Sequence, residues 1–306
     1  MMEKEELIQH ILSKKEEKNA VIMAHNYQTE PIQLISDYLG DSLGLARKSA
    51  ETEADLVVLA GVDFMAETAA MLNPEKKILL PSKQASCPMA SMLPPEKIRK
   101  AKENHPEAVS VVYVNTLAET RAEADITCTS SNAVNIVRRL DEEKVIFGPD
   151  QNLAWHVGQN TDKEIITVPD DGHCYVHRYF SSGDIDRLKE RYPEAISLVH
   201  PESDPEVQER ADYLCSTGQM FDKVRESDSE KFIIGTEIGM INRLEREFPN
   251  KKFLPLSDDA VCEGMKENSL EKVFESLKDE KYEVEIKPEV AKRAKKSTER
   301  MLDLSD

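Results

Sequence analysis

Three cysteines lie at nearly equal intervals along the chain: Cys87, Cys174 and Cys262 are separated by 87 and 88 residues. Three thiolates without a fourth equivalent suit an iron–sulfur cluster with one open iron. They also suit a catalytic zinc ion that keeps a water molecule as its fourth ligand. Single cysteines are often inert and buried, but three in register, each on a loop after a predicted strand, favour a metal centre.

Other residues repeat at the same interval and indicate a repeated structural unit. Gly61, Gly148 and Gly235 are 87 residues apart, and each ends an apolar run. A fixed period points to repeat architecture, and units of about 87 residues suit small α/β domains. Equivalent residues of three such domains can meet around a pseudo-threefold axis. The further sets in this register are Asp37, Asp125 and Asp212; Ser42, Ser130 and Thr217; His25, Tyr113 and His200; and Tyr27, Asn115 and Glu202.

The hydroxyl residues Ser42, Ser130 and Thr217 each follow a short predicted strand and precede a helical pattern. A hydroxyl residue in this place is first of all a helix N-cap. A helix N-terminus with free N–H groups also binds anions. Three of them directed at one axis would bind carboxylate or phosphate groups in spite of an acidic surface.

The sets that begin with His25 and Tyr27 lie at the ends of the first strand of each unit. Together they supply proton donors, proton acceptors and a carboxylate base, which are the groups needed beside a Lewis acid. His177 follows Cys174 by three residues and could support the metal centre or contact a ligand. Cys128 and Cys215 are also in register, but the first unit has Gly40 there, and we expect both to be core residues.

Predicted strands alternate with helical patterns throughout the three units, which indicates parallel sheets covered on both faces. We therefore predict an α/β protein of three pseudo-threefold-related, three-layer αβα domains with the active site at their common interface, because ligands bind at the carboxyl ends of parallel strands. The predicted domains are 1–86, 87–173 and 174–262, with a helical C-terminal extension, 263–306, packed on the core and helical from Leu270 onward. The predicted strands are 20–24, 37–40, 54–60, 77–80, 109–112, 125–127, 145–147, 164–168, 196–199, 212–214, 232–234 and 252–254.

Composition limits the classes of protein that fit. The chain of 306 residues is 40% hydrophobic and 32% charged, as expected of a globular protein with a core. Its net charge of −18 argues against binding nucleic acid or an anionic membrane. Five widely spaced cysteines argue against a disulfide framework. Residues 1–6 lack the layout of a signal peptide, and no apolar run approaches membrane length, so we expect a cytoplasmic protein.

The chain resembles the quinolinate synthase family of NAD biosynthesis over residues 24–262. As a set, the matching segments are highly specific. They are AHNYQ at 24–28, DSL at 41–43, GVDFMAET at 61–68, YVNT at 113–116, TSSNA at 129–133, GPDQNL at 148–153, CYVH at 174–177, HPE at 200–202 and GTE at 235–237.

The resemblance implies a [4Fe–4S] cluster held by Cys87, Cys174 and Cys262. It also implies the condensation of iminoaspartate with dihydroxyacetone phosphate to quinolinate, with release of phosphate and water, and a functional partner enzyme that forms iminoaspartate. Tyr27 matches the catalytic tyrosine of the family, and we expect Tyr113, His200 and Glu202 to take part in catalysis. With His177 added for its place after Cys174, the expected substrate-binding residues are His25, Ser42, Tyr113, Asn115, Ser130, His177, His200, Glu202 and Thr217.

Two other functions stay open on the sequence. One is a different hydro-lyase with an open iron, which would act on a single hydroxy acid and need no phosphate substrate. The other is a non-catalytic iron–sulfur sensor or a zinc-stabilised binding protein. The presence of the Tyr, Asn and Glu set beside the cysteines argues against the sensor.

Overall fold

The computed structural model describes residues 3–305 and contains three four-stranded, fully parallel sheets, one for each sequence repeat. Met1 and Met2, which were part of the N-terminal stretch considered above, lie outside these residues. Within the described part of the chain, no helix has the length and apolar character needed to cross a membrane.

The first repeat begins with a helix and then alternates strand and helix. Its strands are apolar runs such as LVVLA at Leu56–Ala60, in which all five residues are buried because helices cover both faces of the sheet. The elements are α1 (Lys4–Glu17), β1 (Ala20–His25), α2 (Glu30–Ile35), β2 (Tyr38–Gly40), α3 (Ser42–Glu51), β3 (Leu56–Ala60), α4 (Asp63–Leu72) and β4 (Lys77–Leu79).

The second and third repeats follow the same order of elements. Those of the second are α5 (Pro88–Met92), α6 (Pro95–Asn104), β5 (Val109–Tyr113), α7 (Ala118–Arg121), β6 (Ile126–Cys128), α8 (Ala133–Arg138), β7 (Lys144–Gly148), α9 (Gln151–Gln159) and β8 (Glu164–Thr167). After a 3₁₀ turn at Val176–Tyr179, those of the third are α10 (Ser182–Arg191), β9 (Ile196–Val199), α11 (Pro205–Arg210), β10 (Tyr213–Leu214), α12 (Thr217–Glu226), β11 (Lys231–Gly235), α13 (Gly239–Glu247) and β12 (Lys252–Pro255).

The three sheets share one strand order, namely β2-β1-β3-β4, β6-β5-β7-β8 and β10-β9-β11-β12. The predicted α/β class, with three repeated three-layer domains and parallel sheets, is confirmed, and the predicted strands differ from the observed ones by at most two residues at either end. The division at residues 86, 173 and 262 stays a prediction.

The repeated aspartates Asp37, Asp125 and Asp212 have a structural part in each repeat. Each lies just before the second strand, and its carboxylate accepts a hydrogen bond from a backbone N–H in the first strand. The donors are Ile22, Ser110 and Ser197, at 2.8, 2.9 and 2.7 Å. These bonds fix the entry into the edge strand, away from the carboxyl ends where ligands bind.

The C-terminal extension is not continuously helical from Leu270, as the sequence predicts. It consists of α14 (Glu263–Lys266), α15 (Leu270–Asp279) and α16 (Pro288–Ser305), with an irregular segment at 280–287. The break comes at Glu280 and Tyr282, which have left-handed φ values of 51° and 64°. Glu280 also forms ion pairs of 2.6 Å with Lys18 and Lys77, so tertiary contacts hold the chain in this turn.

The extension packs on the first two repeats. Leu270, Val273 and Leu277 of α15 join the hydrophobic cluster that contains Leu7 and Ile11 of α1. On α16, Ser297 lies against the second sheet, and its Oγ is 3.1 Å from Thr127 Oγ1. The two helices thus supply part of the outer layer of these repeats. A further cluster contains side chains from both repeats, from Met23 to Val157, so the domains pack tightly.

Candidate functional site

A cavity with an empty volume of about 680 Å³ lies at the carboxyl ends of the strands, where the three repeats meet. All thirteen site residues predicted from the sequence line it, although they come from positions as far apart as His25 and Cys262. They are His25, Tyr27, Ser42, Cys87, Tyr113, Asn115, Ser130, Cys174, His177, His200, Glu202, Thr217 and Cys262. The cavity is also lined by Asp41, Leu43, Val62, Phe64, Val114, Thr129, Val176 and Met265, which sequence reasoning did not single out.

Ser42 and Thr217 are not the N-caps of their helices, which corrects the first reading of the hydroxyl set. The caps are the preceding residues: Asp41 accepts a hydrogen bond from Gly44 N, and the Ser216 side chain accepts one from Gln219 N. Capping by the preceding residue leaves Ser42 and Thr217 on the first turn, facing the cavity. Both hydroxyls therefore lie at a helix N-terminus, where the N–H groups and helix dipole favour anions.

Two contacts between repeats hold Ser130 and Thr217. His200 Nε2 lies 3.2 Å from Ser130 Oγ, which joins the third repeat to the second. Asn26 donates a hydrogen bond of 2.8 Å to Thr217 Oγ1, which joins the first repeat to the third. Ser130 lies in the turn before α8, whose cap position is Asn132, so it too is not an N-cap.

Glu202 is the centre of a buried polar network. Tyr113 donates a hydrogen bond of 2.6 Å to Glu202 Oε1, and His177 Nδ1 lies 2.9 Å from Glu202 Oε2. His177 and His200 stack with ring centroids 4.7 Å apart, and His200 Nδ1 is 3.9 Å from Glu202 Oε2. The carboxylate is thus held by groups from two repeats and is only 3% exposed.

The protonation states in this network follow from burial and hydrogen bonding. Burial acts to raise the pKa of Glu202, but His200, His177 and the hydroxyl of Tyr113 outweigh it and hold the pKa below its ordinary value. Burial lowers the pKa of His25 to about 3 and that of His200 to about 3, with Glu202 opposing the shift in both cases. At neutral pH the site therefore contains a carboxylate base and two neutral imidazoles.

Thr236 is a site residue that the sequence reasoning missed. Its Oγ1 lies 2.5 Å from the Tyr27 hydroxyl and 3.0 Å from His177 Nε2, so one hydroxyl connects two cavity residues. It directly follows Gly235, the third of the repeated glycines, and the equivalent residues Val62 and Pro149 have no hydroxyl. Because the contact is made in only one repeat, the periodicity could not reveal it.

The three cysteines lie on loops that approach one another closely. Cys87 directly precedes α5, Cys262 directly precedes α14, and Cys174 lies just before the 3₁₀ turn. Gly264 makes the approach of the first and third loops possible, since a Cβ atom there would lie 2.2 Å from the carbonyl oxygen of Ser86. These side chains are half-buried and directed into the shared cavity.

The sulfurs of Cys87, Cys174 and Cys262, called the sulfur set below, have a chemistry that fits a metal centre. Burial raises the pKa of Cys87, Cys174 and Cys262, and the neighbouring cysteines raise the pKa of Cys87 and Cys174 further. Thiolates are the form that binds metal, and a bound cation supplies the missing counter-charge and deprotonates a coordinating thiol. Three buried thiols that resist ionisation therefore suit a positively charged group between them.

The geometry favours a group larger than one ion. Zn–S bonds of about 2.3 Å would bring three sulfurs within about 4 Å of one another. Among residues 3–305, the metal-competent group with ligand atoms within 4.8 Å of one another is Cys174, His177 and Glu202, and it does not include the other two cysteines. In that group His177 Nε2 already contacts Thr236 Oγ1 at 3.0 Å. The wider sulfur set thus fits a polynuclear cluster better than a single zinc ion.

Cys128 and Cys215 lie apart from this centre. Cys128 is 0% exposed at the end of β6, and Cys215 is 3% exposed just after β10. They belong to two separate hydrophobic clusters and do not line the cavity. Their placement agrees with the interpretation of both as core residues.

Comparison with known proteins identifies the family of the chain. The family model described as Quinolinate synthetase A protein (NadA) matches residues 9–303. The chain belongs to the quinolinate synthetase A family. Curated members of the family resemble it over nearly their whole length. The quinolinate synthase of Methanothermobacter thermautotrophicus is 55% identical over 302 residues, covering 98% of this chain and 99% of that protein.

Two further relatives are similarly close. The quinolinate synthase of Thermococcus onnurineus is 54% identical over 304 residues, covering 99% of this chain and 100% of that protein. That of Methanocaldococcus jannaschii is 53% identical over 302 residues, covering 97% and 98%. Membership in the quinolinate synthetase A family makes the chain an enzyme, and its cysteines lie beside a potential metal site.

Proposed function

We propose that this protein is a quinolinate synthase that condenses iminoaspartate with dihydroxyacetone phosphate to quinolinate, with release of phosphate and water, in NAD biosynthesis. The observation that carries the proposal is the convergence, in one cavity, of three cysteines with the Tyr113–Glu202–His177 network. The family assignment supports the same reaction.

The cavity offers places for the anionic groups of both substrates. Ser42 and Thr217 line the cavity from the first turns of α3 and α12, which have ten residues each. The N-terminus of a helix favours an anionic group. Ser130, Asn115 and the neutral imidazole of His25 add hydrogen-bonding partners. We assign to these residues the binding of the carboxylates and the phosphate.

The proton transfers of the condensation need a base and an acid. Glu202 is ionised and lies beside the cavity, so it can accept a proton from a substrate carbon or nitrogen. Burial and the charge of Glu202 raise the pKa values of Tyr27 and Tyr113 well above the ordinary range, which keeps both phenols protonated. We assign Tyr27 and Tyr113 as proton donors and orienting groups, with His200 and His177 holding Glu202 in place.

We propose that Cys87, Cys174 and Cys262 hold a [4Fe–4S] cluster. When bound, this cluster supplies an iron with an open coordination position that acts as a Lewis acid toward a substrate oxygen or nitrogen. Val62, Phe64 and Met265 form an apolar part of the cavity wall. Apolar surroundings lower the local dielectric constant, which strengthens the hydrogen bonds and charges on which binding depends.

The supply of substrate implies a functional partner, because iminoaspartate must come from an enzyme that oxidises aspartate. We also propose a cytoplasmic location. All five cysteines are free thiols, as is typical of a reducing compartment.

The first test is the metal content of the protein purified without oxygen, followed by an assay of quinolinate formation. We expect about four irons and four sulfides per chain, the content of the cubane cluster, and turnover that requires both substrates. Zinc alone, or iron without turnover, would overturn the proposal in favour of a binding protein or a sensor. Turnover of a single hydroxy acid without phosphate substrate would favour the other hydro-lyase.

A further inference from the structure

Each cysteine loop has a carboxylate behind it, outside the cavity. Asp63, Asp150 and Glu237 are 87 residues apart, and each lies two residues after one of the repeated glycines. Asp63 Oδ1 accepts a hydrogen bond of 3.2 Å from the backbone N–H of Cys87. Glu237 Oε1 accepts one of 3.1 Å from the backbone N–H of Cys262.

The same carboxylates also bind the start of the helix that follows the third strand of their sheet. Asp63 Oδ1 accepts the N–H of Phe64 in α4 at 2.8 Å, and Glu237 Oε2 accepts the N–H of Gly239 in α13 at 2.7 Å. Each side chain thus ties a cysteine loop to a helix that packs on the sheet. A loop held in this way keeps its sulfur in place before any metal arrives.

We propose that Asp63 and Glu237 are positioning residues for the metal centre, which hold Cys87 and Cys262 by their backbone N–H groups and withhold those N–H groups from the sulfurs. The reduction potential of an iron–sulfur cluster depends on hydrogen bonds to its sulfurs and on nearby charge. An N–H that is bound to a carboxylate cannot donate to sulfur. The two residues therefore favour a low potential as well as a fixed ligand geometry.

Asp150, the equivalent residue in the second repeat, makes fewer contacts. Asp150 Oδ1 caps α9 by accepting a hydrogen bond of 2.6 Å from Leu153 N. Asp150 Oδ2 is buried and has no hydrogen-bond partner within residues 3–305. By contrast, Glu237 has Lys266 at 2.7 Å and Asp63 has Arg121 nearby as cationic neighbours. The test is therefore made at Asp63 and Glu237.

The inference rests on the proposed cluster, so the wild-type protein is measured first. Absence of the cluster from the wild type would contradict the proposed function itself. With a loaded wild type, the variants Asp63→Ala and Glu237→Ala remove the acceptor, whereas Asp63→Asn and Glu237→Gln retain an acceptor oxygen. The measurements are iron per chain after anaerobic reconstitution and the midpoint potential of the cluster by EPR-monitored titration.

The chain offers a matched control in each of the two repeats. Asp37 and Asp212 also accept a backbone N–H, at 2.8 Å from Ile22 and 2.7 Å from Ser197, but these N–H groups belong to first strands and not to cysteine loops. Asp37→Ala and Asp212→Ala therefore also remove a carboxylate acceptor from the same repeat, but away from the metal centre. Both should retain the wild-type iron content and potential.

We expect the two alanine variants at Asp63 and Glu237 either to lose iron or to become easier to reduce. At a fixed potential the ratio of reduced to oxidised cluster should rise at least about tenfold, a shift of about 59 mV for a one-electron couple. The Asn and Gln variants should restore the iron content and lie closer to the wild-type potential. Wild-type iron and potential in both alanine variants would overturn the inference. Equal losses of iron in the alanine, amide and control variants would also overturn it.

Discussion

The hydroxyl of Tyr113 and Oε1 of Glu202 are 2.6 Å apart, although the two residues are separated by 89 positions and belong to different repeats. Tyr113 ends the first strand of the second sheet, and Glu202 lies just beyond the first strand of the third. The bond therefore exists only when the two sheets are docked with their carboxyl ends facing. It places an ionised carboxylate beside the sulfur set.

Glu202→Gln tests the carboxylate as the base. Because the amide cannot accept the proton, we expect turnover to fall by about 10²–10⁴-fold, while the iron content stays unchanged. The control is Glu206→Gln, an exposed position on α11 that should retain wild-type turnover. Full activity of Glu202→Gln would contradict the assigned role.

Serine substitutions test the choice of metal ligands. Cys87→Ser, Cys174→Ser and Cys262→Ser each remove one of three thiolates, so we expect the cluster absorption and the iron to be lost. Cys128→Ser changes a buried cysteine that does not line the cavity and should retain iron. Iron loss in Cys128→Ser with retention in Cys174→Ser would show that the ligand set is wrong.

Gly264→Ala tests the approach of two cysteine loops. The added Cβ would lie 2.2 Å from the carbonyl oxygen of Ser86, so the loops of Cys87 and Cys262 must separate. We expect a several-fold loss of iron affinity, measured by reconstitution with limiting iron. Gly183→Ala in α10 is the matched control, because its nearest neighbours are 3.8 Å away or more and the helix favours alanine. Equal iron affinity in the two variants would contradict the steric argument.

Arg121→Ala tests the junction of the first two repeats. This guanidinium is fully buried, donates to Thr68 Oγ1 at 2.6 Å and to Phe64 O at 3.1 Å, and lies 3.6 Å from Glu67 Oε2. Its removal leaves buried partners unpaired, so we expect a loss of about 3–5 kcal/mol in the free energy of unfolding.

An exposed arginine provides the comparison for that measurement. Arg99 pairs with Glu123 at 3.0 Å on the surface, and Arg99→Ala should cost at most about 1 kcal/mol. Denaturant unfolding of both variants measures the two costs. Similar costs for the two would show that the buried contacts contribute little.

The histidine at position 25 should make stability depend on pH. Burial lowers its pKa from 6.5 to about 3, so between these values the unfolded chain binds a proton that the folded chain does not. The contribution of neutral His25 to the free energy of unfolding is therefore fully present above pH 6.5 and is lost as the pH falls toward 3. His25→Gln should reduce the drop in thermal midpoint between about pH 7 and about pH 5, where carboxylates titrate little. An unchanged drop would exclude His25 as its source.

The sequence alone was sufficient to predict the α/β class and the three sheets, and the thirteen site residues that it singled out all line one cavity, although their roles stay predictions. The strands are apolar runs with a clear end, and the carboxyl ends of parallel strands lie at one edge of their sheet. The interval of 87 or 88 residues then shows which strand ends are equivalent in the three repeats. Cys128 could be separated from Cys174 by the same reasoning, because only the latter follows a fourth strand on a loop.

Only the tertiary structure decided which hydroxyls face the cavity instead of capping a helix and how the cysteines are held. Ser42 and Ser216 are equally good caps by residue type, and the choice of Asp41 over Ser42 depends on the backbone geometry at the start of α3. Thr236 contacts Tyr27, which is 209 positions away in the sequence, and Glu237 contacts Cys262, which is 25 positions away. Such contacts depend on how rigid sheets dock, and neither local propensity nor spacing contains that information.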